Sequence, residues 1–396
     1  MHLLHIIPFY YPAIRYGGPI NSVHGLAKGL VALGHEVRVL TTNIDGPGVS
    51  DVPVDRPVQL DGVEVRYLPV GRPRRITRAP AMRADLARLL PRTDVLHLHG
   101  VWQWSTWMAA RAARRAGVPY LLSPRGMLVR ELISRKSPFA KRLWLAAIER
   151  RTLAEAAAIH CTSELEAEDL RRLELDLAPV VVVPNGVVLP EPMPSSRLAE
   201  AAWPALPRGG RLLYLGRINW KKGIDRLIRA LTAVPDALLR VVGPDEEGQR
   251  AALRALAREV GVADRVTFEE TVHGGEKWAL LAGADLLVLP SLHENWGMVV
   301  SEALGVGTPV VVTETVGAAE LVRRHDAGAV VEGSPEALAA AIRTLLADPA
   351  RRTAMGERAR RVVRTQYSRE VVARRMAELY SWVLGGGPPP ASVQTD

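Results

Sequence analysis

Cysteine, aromatic residues and long apolar stretches are all scarce in this chain of 396 residues. The single cysteine, Cys161, rules out a disulfide within the chain and indicates a reducing, cytoplasmic compartment. No apolar stretch approaches the roughly 20 residues that a membrane-spanning helix needs. Residues 1–12 lack a basic region and a small-residue cleavage site, so we interpret them as a first strand and not as a signal peptide.

Three common phosphate and metal motifs are also absent from the sequence. There is no G-x-G-x-x-G, the main signature of a nicotinamide-dependent enzyme, and no G-x-x-x-x-G-K-[ST], the signature of a P-loop NTPase. There is no D-x-D, a carboxylate pair that holds a divalent metal on a diphosphate. If the chain binds a diphosphate, protein cations must neutralise it, and we therefore expect neither a metal nor a cofactor.

Positive charge is concentrated in one segment of the chain. The formal net charge is +9, yet residues 72–151 contain 18 Lys/Arg and only 4 Asp/Glu. Such an excess indicates an anionic partner, which could be nucleic acid, an anionic membrane surface or a phosphorylated substrate; solvated helix faces rich in arginine are the simpler alternative. Aromatic residues make up only 5% of the chain and none lies within 72–92. The scarcity of aromatics disfavours a nucleic-acid-binding module, and we expect no nucleic-acid partner.

Short apolar runs alternate with helical patterns along most of the chain, which predicts parallel sheets covered by helices on both faces. Strands are predicted at 2–7, 35–41, 63–70, 94–99, 118–123, 157–162, 180–184, 211–216, 237–243, 265–270, 284–290, 308–313 and 327–331. The Pro-rich segment 184–196 interrupts the alternation and marks a linker. The expected fold class is therefore α/β, with two Rossmann-like, doubly wound parallel-sheet domains at 1–186 and 187–366. A helix at 367–384 would complete the first domain, and 385–396 would be a disordered tail.

Loops that follow parallel strands carry the candidate site, because ligands bind at the carboxyl ends of such strands. In the first domain, Gly17 and Gly18 open a helix whose N–H groups and dipole suit a phosphate, although a tight turn explains them as well. His99 ends a strand and is a candidate contact to a sugar. His97 fits a satisfied, buried histidine, and metal ligation by the H-x-H pair lacks a nearby carboxylate or cysteine.

The loop GRINWKKG (216–223) follows the first strand of the second domain. Arg217 and Lys222 lie five residues apart just before a helix, where two fixed cations suit a diphosphate that gains charge as its bond to a sugar breaks. A solvated basic turn is the alternative interpretation.

The segment PSLHENWGMVVSEALGVGTPVVVT (290–313) carries the strongest signal. Glu294 lies in the loop before a helix and Glu302 lies within it, at a spacing that does not place them one turn apart, so a structural pair is not the obvious explanation. A carboxylate accepts two hydrogen bonds at once, which suits Glu294 to a hexose and Glu302 to a ribose. Residues 295–299 then offer successive N–H groups at a helix N-terminus.

Taken together, these elements resemble a retaining glycosyltransferase of the GT-B fold, in glycosyltransferase family 4. The resemblance rests on the two glutamates with seven residues between them, the EALGVGTPVVVT that follows, the GRINWKKG element and the N-terminal GGP…L…GHEV. It covers roughly residues 1–384. The fold that it implies consists of two Rossmann-like domains that face each other across a cleft.

The resemblance also implies roles for individual residues. Arg217 and Lys222 would bind the donor diphosphate, Glu302 the ribose, and Glu294 the donor sugar. The other implied donor contacts are Gly17, Gly18, Val272, Asn295, Trp296, Gly297, Met298 and Val299. Arg125 stands where many family members carry a histidine near the reacting carbon, so it would add positive charge for phosphate or acceptor. The implied catalytic residues are Glu294, Arg217, Lys222, His99 and Arg125.

The implied reaction is metal-independent transfer of a sugar from a nucleotide-diphosphate sugar to an acceptor hydroxyl with retention. A UDP-sugar is the favoured donor and a GDP-sugar the next, in polysaccharide, lipopolysaccharide or glycolipid assembly. A lipid-linked or glycan acceptor at an anionic membrane surface would explain the basic segment, so we expect peripheral membrane association. A soluble small-molecule acceptor and a sugar-nucleotide epimerase of the same architecture are the alternatives.

Overall fold

The structure is a computed structural model that describes residues 1–135, 138–203 and 208–394. The chain forms two compact units, one made of residues 1–186 with 369–396 and the other of residues 187–368. The first unit ends at residue 186, as the Pro-rich segment predicts. The chain returns to the first unit at Arg369 and not at Tyr367, because the Tyr367 carbonyl accepts a hydrogen bond of 2.9 Å from the N–H of Val187 within the second unit.

The first unit begins with strands and helices in alternation. Its strands up to residue 182 are β1 (His2–Phe9), β2 (Glu36–Thr42), β3 (Ile44–Asp45), β4 (Gly48–Val49), β5 (Val58–Leu60), β6 (Val63–Leu68), β7 (Val95–His99), β8 (Tyr120–Ser123), β9 (Ala158–Cys161) and β10 (Val180–Val182). Its helices over the same part are α1 (Gly18–Ala32), α2 (Met82–Leu89), α3 (Trp104–Ala116), α4 (Arg130–Arg135), α5 (Pro138–Trp144), α6 (Arg150–Ala154) and α7 (Glu164–Arg171). A π-helical segment, Leu145–Glu149, joins α5 to α6.

The second unit repeats this alternation. Its strands are β11 (Arg211–Leu215), β12 (Leu238–Val242), β13 (Val266–Glu269), β14 (Leu286–Leu289), β15 (Val310–Thr313) and β16 (Gly328–Val331). Its helices are α8 (Ser196–Ala201), α9 (Ile224–Ala230), α10 (Gln249–Glu259), α11 (Gly274–Gly283), α12 (Met298–Val306), α13 (Ala319–Arg324), α14 (Pro335–Leu346) and α15 (Pro349–Gln366).

The end of the chain returns to the first unit as α16 (Arg369–Val383) and β17 (Val393–Gln394). Helix α16 packs on α1, where a Cβ at Gly29 would lie only 2.7 Å from the Cβ of Ala373, so the glycine permits the close approach of the two helices. The prediction of a disordered tail is wrong for β17, whose backbone pairs antiparallel with Val180 and Val181 of β10. Composition does not reveal this pairing, because it depends on an open sheet edge distant in sequence.

Both units contain a mainly parallel sheet, which confirms the predicted α/β fold. The strand order is β17-β10-β9-β8-β7-β1-β2-β6-β5 in the first sheet and β13-β12-β11-β14-β15-β16 in the second. The first sheet is parallel except for β17 and β5 at its edges, and the second is parallel throughout. Every strand predicted from the alternation is present. The strands β3, β4, β5 and β17 are too short to carry a recognisable sequence pattern.

The order of the strands reverses between β1 and β7 in the first sheet and between β11 and β14 in the second. Such a switch point opens a crevice at the carboxyl ends of the strands, where ligands bind in open α/β sheets. The predicted site residues follow these four strands or their neighbours, except Val272, which follows the edge strand β13. Within the described part of the chain, no helix combines the length and apolarity that crossing a bilayer requires.

Candidate functional site

The loops after β11 and β14 bring two predicted site residues together in the second unit. Lys222 ends a short 3-10 turn after β11, and its ammonium group contacts the Glu294 carboxylate in the loop after β14. The two side chains are 13% and 22% exposed. Because β11 and β14 are neighbours, this ion pair lies at the switch point of the second sheet.

Main-chain contacts hold these two loops against each other. The N–H of Leu292 donates to the carbonyl of Lys221 at 2.7 Å. Gly223 has a φ of 61°, and a Cβ at this position would overlap the carbonyl oxygen of Pro290. Glycine is therefore required immediately after Lys222, both for the left-handed backbone and for the close approach of the second loop.

Arg217 does not join the pair of Lys222 and Glu294. Its guanidinium group lies 2.9 Å from Glu246, whose other carboxylate oxygen accepts a hydrogen bond of 3.0 Å from the Asn219 amide. Glu246 is in the loop after β12, and sequence reasoning missed it. Because β12 is the other neighbour of β11, the strand order is the signal that would have drawn attention to this loop.

The backbone around Glu294 is fixed by the loop after β15. Its N–H donates to Thr315 at 3.0 Å and its carbonyl accepts from Gly317 at 2.9 Å. The Thr315 hydroxyl in turn donates to the carbonyl of Ser291 at 2.7 Å. The Glu294 carboxylate therefore projects from a loop whose main chain is held on two sides.

Helix α12 begins directly after this loop and points its N-terminus toward it. Gly297, at the N-cap, has a φ of 86°, and a Cβ there would lie 3.1 Å from the Leu289 side chain and 3.2 Å from that of Val316. The first-turn N–H groups of Met298 and Val299 have no acceptor within the helix, and the helix dipole adds positive potential there. This end of α12 can therefore receive an anion.

The remaining predicted residues of this segment differ in what they can offer a ligand. Trp296 is buried, and its indole N–H donates to the Ser301 hydroxyl at 3.1 Å, so only its main chain is available for contact. Asn295 is half-buried. Val272 lies outside this segment, in the loop after β13; it is half-buried and packs against the hydrophobic core of the second unit.

Glu302 is also held in an ion pair. Its carboxylate lies 2.6 Å from the ammonium group of Lys277 on α11, and the two side chains are 14% and 22% exposed respectively. Each glutamate of the predicted pair thus has a lysine partner from a different element. The spacing of the two glutamates did not indicate these lysines, because spacing within the segment says nothing about partners elsewhere in the chain.

In the first unit, the loop after β1 leads into α1 as predicted. Gly17 has a φ of 81° and caps a helix that starts at Gly18. The rings of Phe9 and Tyr16 stack at 4.1 Å, and the Tyr16 hydroxyl accepts a hydrogen bond of 2.8 Å from Gly46. These contacts fix the loop, so the N-terminus of α1 lies at the carboxyl end of β1.

His99 and Arg125, predicted from separate strands, meet at the carboxyl ends of β7 and β8. An Arg125 nitrogen lies 3.1 Å from Nδ1 of His99, and another donates to the Asn185 side chain at 2.9 Å. The second ring nitrogen of His99 lies 3.0 Å from Nδ1 of His5, and the His99 side chain is buried. His99 therefore has no ring nitrogen left for a sugar; what it does is hold Arg125.

Arg125, at one end of this hydrogen-bonded network, determines which ring nitrogens of the histidines carry a proton. Arg125 only donates, so Nδ1 of His99 accepts and Nε2 of His99 carries the proton that it donates to His5. Burial, with a further contribution from the charge of Arg125, lowers the pKa of His5 to about 3. Burial also lowers the pKa of Arg125 to about 10, so the guanidinium keeps its charge near neutral pH.

A second line of hydrogen bonds runs beside the first. The Val183 carbonyl accepts from His160 at 2.9 Å, so Nδ1 of His160 accepts from Ser123 at 2.8 Å, and Ser123 accepts from Nε2 of His97 at 2.8 Å. The Tyr380 hydroxyl of α16 completes the line by donating to Nδ1 of His97 at 2.7 Å. This confirms His97 as a satisfied, buried histidine and ties the last helix to β7.

One cluster in this network has the residue types of a metal site. The nearest ring nitrogens of His5, His97 and His99 all lie within 4.8 Å of one another. A metal requires converging lone pairs, whereas the tautomers assigned above put protons on Nε2 of His97 and His99, and Arg125 adds a positive charge at His99. The donor set therefore fits a hydrogen-bonded network better than a metal.

The sequence segments that carry these features match two known domain families. Residues 17–186 match the glycosyl transferase 4-like domain, and residues 204–362 match the glycosyl transferases group 1. The chain is 31% identical over 377 residues to the D-inositol 3-phosphate glycosyltransferase of Xylanimonas cellulosilytica, with 88% of each chain covered. It is 29% identical over 400 residues to the GDP-mannose-dependent alpha-(1-6)-phosphatidylinositol dimannoside mannosyltransferase of Mycobacterium tuberculosis, with 96% of this chain and 93% of the relative covered.

Solved structures show the same architecture. Sucrose-phosphate synthase from Thermosynechococcus elongatus superposes with a TM-score of 0.76 at 22% identity, covering 98% of this chain and all of the other. HepE of Anabaena, in complex with UDP and glucose, superposes with a TM-score of 0.70 at 20% identity, covering 96% of this chain and all of the other. The two Rossmann-like units are those of the GT-B class of glycosyltransferases. This chain belongs to that class and, within it, to glycosyltransferase family 4, the family predicted from its motifs.

Proposed function

We propose that this glycosyltransferase moves a sugar from a nucleotide-diphosphate sugar to an acceptor hydroxyl, with retention of the anomeric configuration and without a metal ion. The observation that carries the proposal is the ion pair of Lys222 and Glu294 beside the N-terminus of α12. A diphosphate bound here would take Lys222 as its own partner. Glu294 would then be released to accept hydrogen bonds from the hydroxyls of the donor sugar.

Fixed cations are the chemical basis of the proposed reaction. As the bond from the anomeric carbon to the phosphate oxygen breaks, its electron pair stays on the diphosphate, and Lys222, Arg217 and the first N–H groups of α12 stabilise that charge. The acceptor oxygen bonds to the anomeric carbon from the same face, and its proton passes to the departing phosphate oxygen. Glu302 would hold the ribose, and its pairing with Lys277 fixes its position beforehand.

The first unit is proposed to bind the acceptor. Arg125 is a buried cation held between His99 and Asn185, and the helix start at Gly17 and Gly18 is a second place for a negative group. Residues 72–151 of the first unit are strongly basic. A relative acts on a phosphatidylinositol dimannoside, which supports a lipid-linked or phosphorylated acceptor at an anionic membrane surface. The inositol phosphate relative supports the alternative of a soluble acceptor.

The donor base is proposed to be uracil, with guanine as the next choice. The structure of HepE contains UDP, and the mannosyltransferase relative uses GDP-mannose. Thermal unfolding with UDP-, GDP- and ADP-sugars in the presence of a chelator tests both the base and the metal independence. A donor at one hundred times its dissociation constant stabilises by about 2.7 kcal/mol, which is enough to rank the bases. Stabilisation that requires added magnesium or manganese would contradict the proposal.

Product analysis separates transfer from epimerisation. A transferase releases nucleoside diphosphate in proportion to the acceptor that is glycosylated, whereas an epimerase changes the donor sugar without any acceptor. Incubation of the enzyme with the stabilising donor, with and without a phosphatidylinositol or inositol phosphate acceptor, should therefore release nucleoside diphosphate only when the acceptor is present. Conversion of the donor into an isomer in the absence of acceptor would favour the epimerase.

A further inference from the structure

The segment formed by α5, the π-helical segment and α6 carries an exposed apolar face outside the candidate site. In the part of the chain that the structure describes, Phe139 and Leu143 are the most exposed large apolar side chains, at 80% and 61%. They lie four residues apart on α5 and therefore share one face. Ala146 and Ala147, one turn further on, are also exposed. We call Phe139, Leu143, Ala146 and Ala147 the apolar stripe.

The opposite side of the same segment is anchored in the first unit. Glu149 is buried and accepts hydrogen bonds from the main chain of Trp102 at 2.8 Å and from the indole of Trp144 at 2.9 Å. Leu145 packs against the hydrophobic core of the unit. Because these contacts fix the rotation of the segment, the apolar stripe faces outward as a defined surface.

The charges beside the apolar stripe are positive. Arg142 and Arg150 are exposed, Arg151 pairs with Glu155 at 2.8 Å, and Glu149, the one acidic residue between positions 138 and 151, is buried. A second copy of this chain would bring the same arginines face to face, which like-charge repulsion opposes. An anionic bilayer offers both complements, namely phosphate groups for the arginines and acyl chains for the stripe.

We propose that the apolar stripe is the membrane-docking element of this enzyme, lying in the plane of an anionic bilayer with Phe139 and Leu143 in the boundary between head groups and acyl chains. The inference deepens the proposed function, on which it rests, by naming the surface that reaches a lipid acceptor. Its consequence is a membrane affinity with two parts. Salt screens the contribution of the arginines but leaves the burial of the apolar side chains intact.

Sedimentation with vesicles separates these two parts. The wild type should bind vesicles of phosphatidylcholine and phosphatidylglycerol, more weakly at high salt but still measurably. The double variant Phe139→Ser/Leu143→Ser should bind at least roughly tenfold more weakly at low salt and not at all at high salt. The matched control is Leu198→Ser, which removes a leucine that is 58% exposed on α8 of the second unit and should leave binding unchanged.

A fluorescent label reports insertion directly. Cys161 is fully buried, and burial raises the pKa of its thiol, so a cysteine introduced by Leu143→Cys can be labelled selectively. An environment-sensitive dye at position 143 should shift to the blue on anionic vesicles and be quenched by spin-labelled lipids. The same dye on Leu198→Cys should not respond. Sedimentation of the protein without a response at position 143 would overturn the proposal.

Two further measurements distinguish membrane docking from a contact between copies of the chain and from loss of the fold or the donor site. If sedimentation velocity shows that Phe139→Ser/Leu143→Ser changes the oligomeric mass, the stripe is a contact between copies and the proposal fails. Thermal unfolding with the sugar nucleotide shows whether the variant keeps its fold and its donor site. If the sugar nucleotide raises the unfolding temperature but the dye reports no insertion, only the docking proposal fails. If the dye reports insertion but no sugar nucleotide raises the unfolding temperature, only the proposed transferase reaction fails.

Discussion

Replacing Lys222 by methionine tests the central claim about the donor site. Methionine keeps the unbranched, apolar part of the side chain and removes the charge that contacts Glu294. If the ammonium group stabilises the departing diphosphate, kcat should fall by roughly 10²–10³, equivalent to about 2.7–4 kcal/mol of transition-state stabilisation, as for the loss of one preorganised group.

The same substitution also has a structural effect, which must be separated from the catalytic one. It leaves the Glu294 carboxylate, 22% exposed, without its partner. Breaking a fully buried pair costs about 3–5 kcal/mol, and solvent reaches part of this one, so we expect a loss of about 1–2 kcal/mol in the free energy of unfolding. Adding Glu294→Gln removes the stranded charge, so the double variant should regain stability and not turnover.

The assay combines single-turnover transfer with chemical denaturation of the wild type, both single variants and the double variant. Lys221→Met is the matched control, because Lys221 lies over the ring of Trp220, 5.8 Å from its centre, and not at Glu294. It removes the same charge one residue away and should change kcat by less than about threefold. Turnover of Lys222→Met close to that of the control would refute the reasoning. Recovery of turnover together with stability in the double variant would do the same.

Three further predictions concern the buried groups. The unfolded chain protonates histidine near pH 6.5, whereas burial lowers the pKa of His160 to about 3. The free energy of unfolding should therefore fall below pH 6.5 by about 1.4 kcal/mol per pH unit for this group. Denaturant titrations from pH 7 to 5 should show that the unfolding free energy of His160→Gln depends less steeply on pH than that of the exposed control His2→Gln. Gly297→Ala should destabilise by about 1–2 kcal/mol, because its φ is positive, while Gly275→Ala, which meets open space, should change the unfolding free energy by less than about 0.5 kcal/mol. Cys161 should react with a thiol reagent only after denaturant is added.

Much of the fold could be predicted because its signals are local. The apolar runs that became β11 and β14, and the helices between such runs, follow from periodicity over a few residues. The pairing of β17 with β10 could not be predicted, since two residues carry no period and the receiving edge lies more than two hundred positions earlier in the chain. The start of α16 differs by two residues from the prediction, because the main chain at Tyr367 bonds to Val187.

The candidate site was predicted only in part, for a similar reason. Motif spacing indicated Lys222 and Glu294 but not that they contact each other, and it missed Glu246 and Lys277, which hold Arg217 and Glu302. In the first unit, the structure differs from the prediction for His99. Its ring was predicted to contact a sugar, but it is buried and holds the neighbouring Arg125 instead.

By itself, the sequence determined the α/β class, the division near residue 186 and the loops on which charged groups lie, because alternation, proline content and glycine positions act over short stretches of chain. The tertiary structure alone decided the partners: Lys222 with Glu294, and His97 with Tyr380, are 72 and 283 positions apart. Strand order sets which loops become neighbours, and burial then requires each enclosed charge or ring nitrogen to find a partner there. Both conditions arise only when distant segments pack.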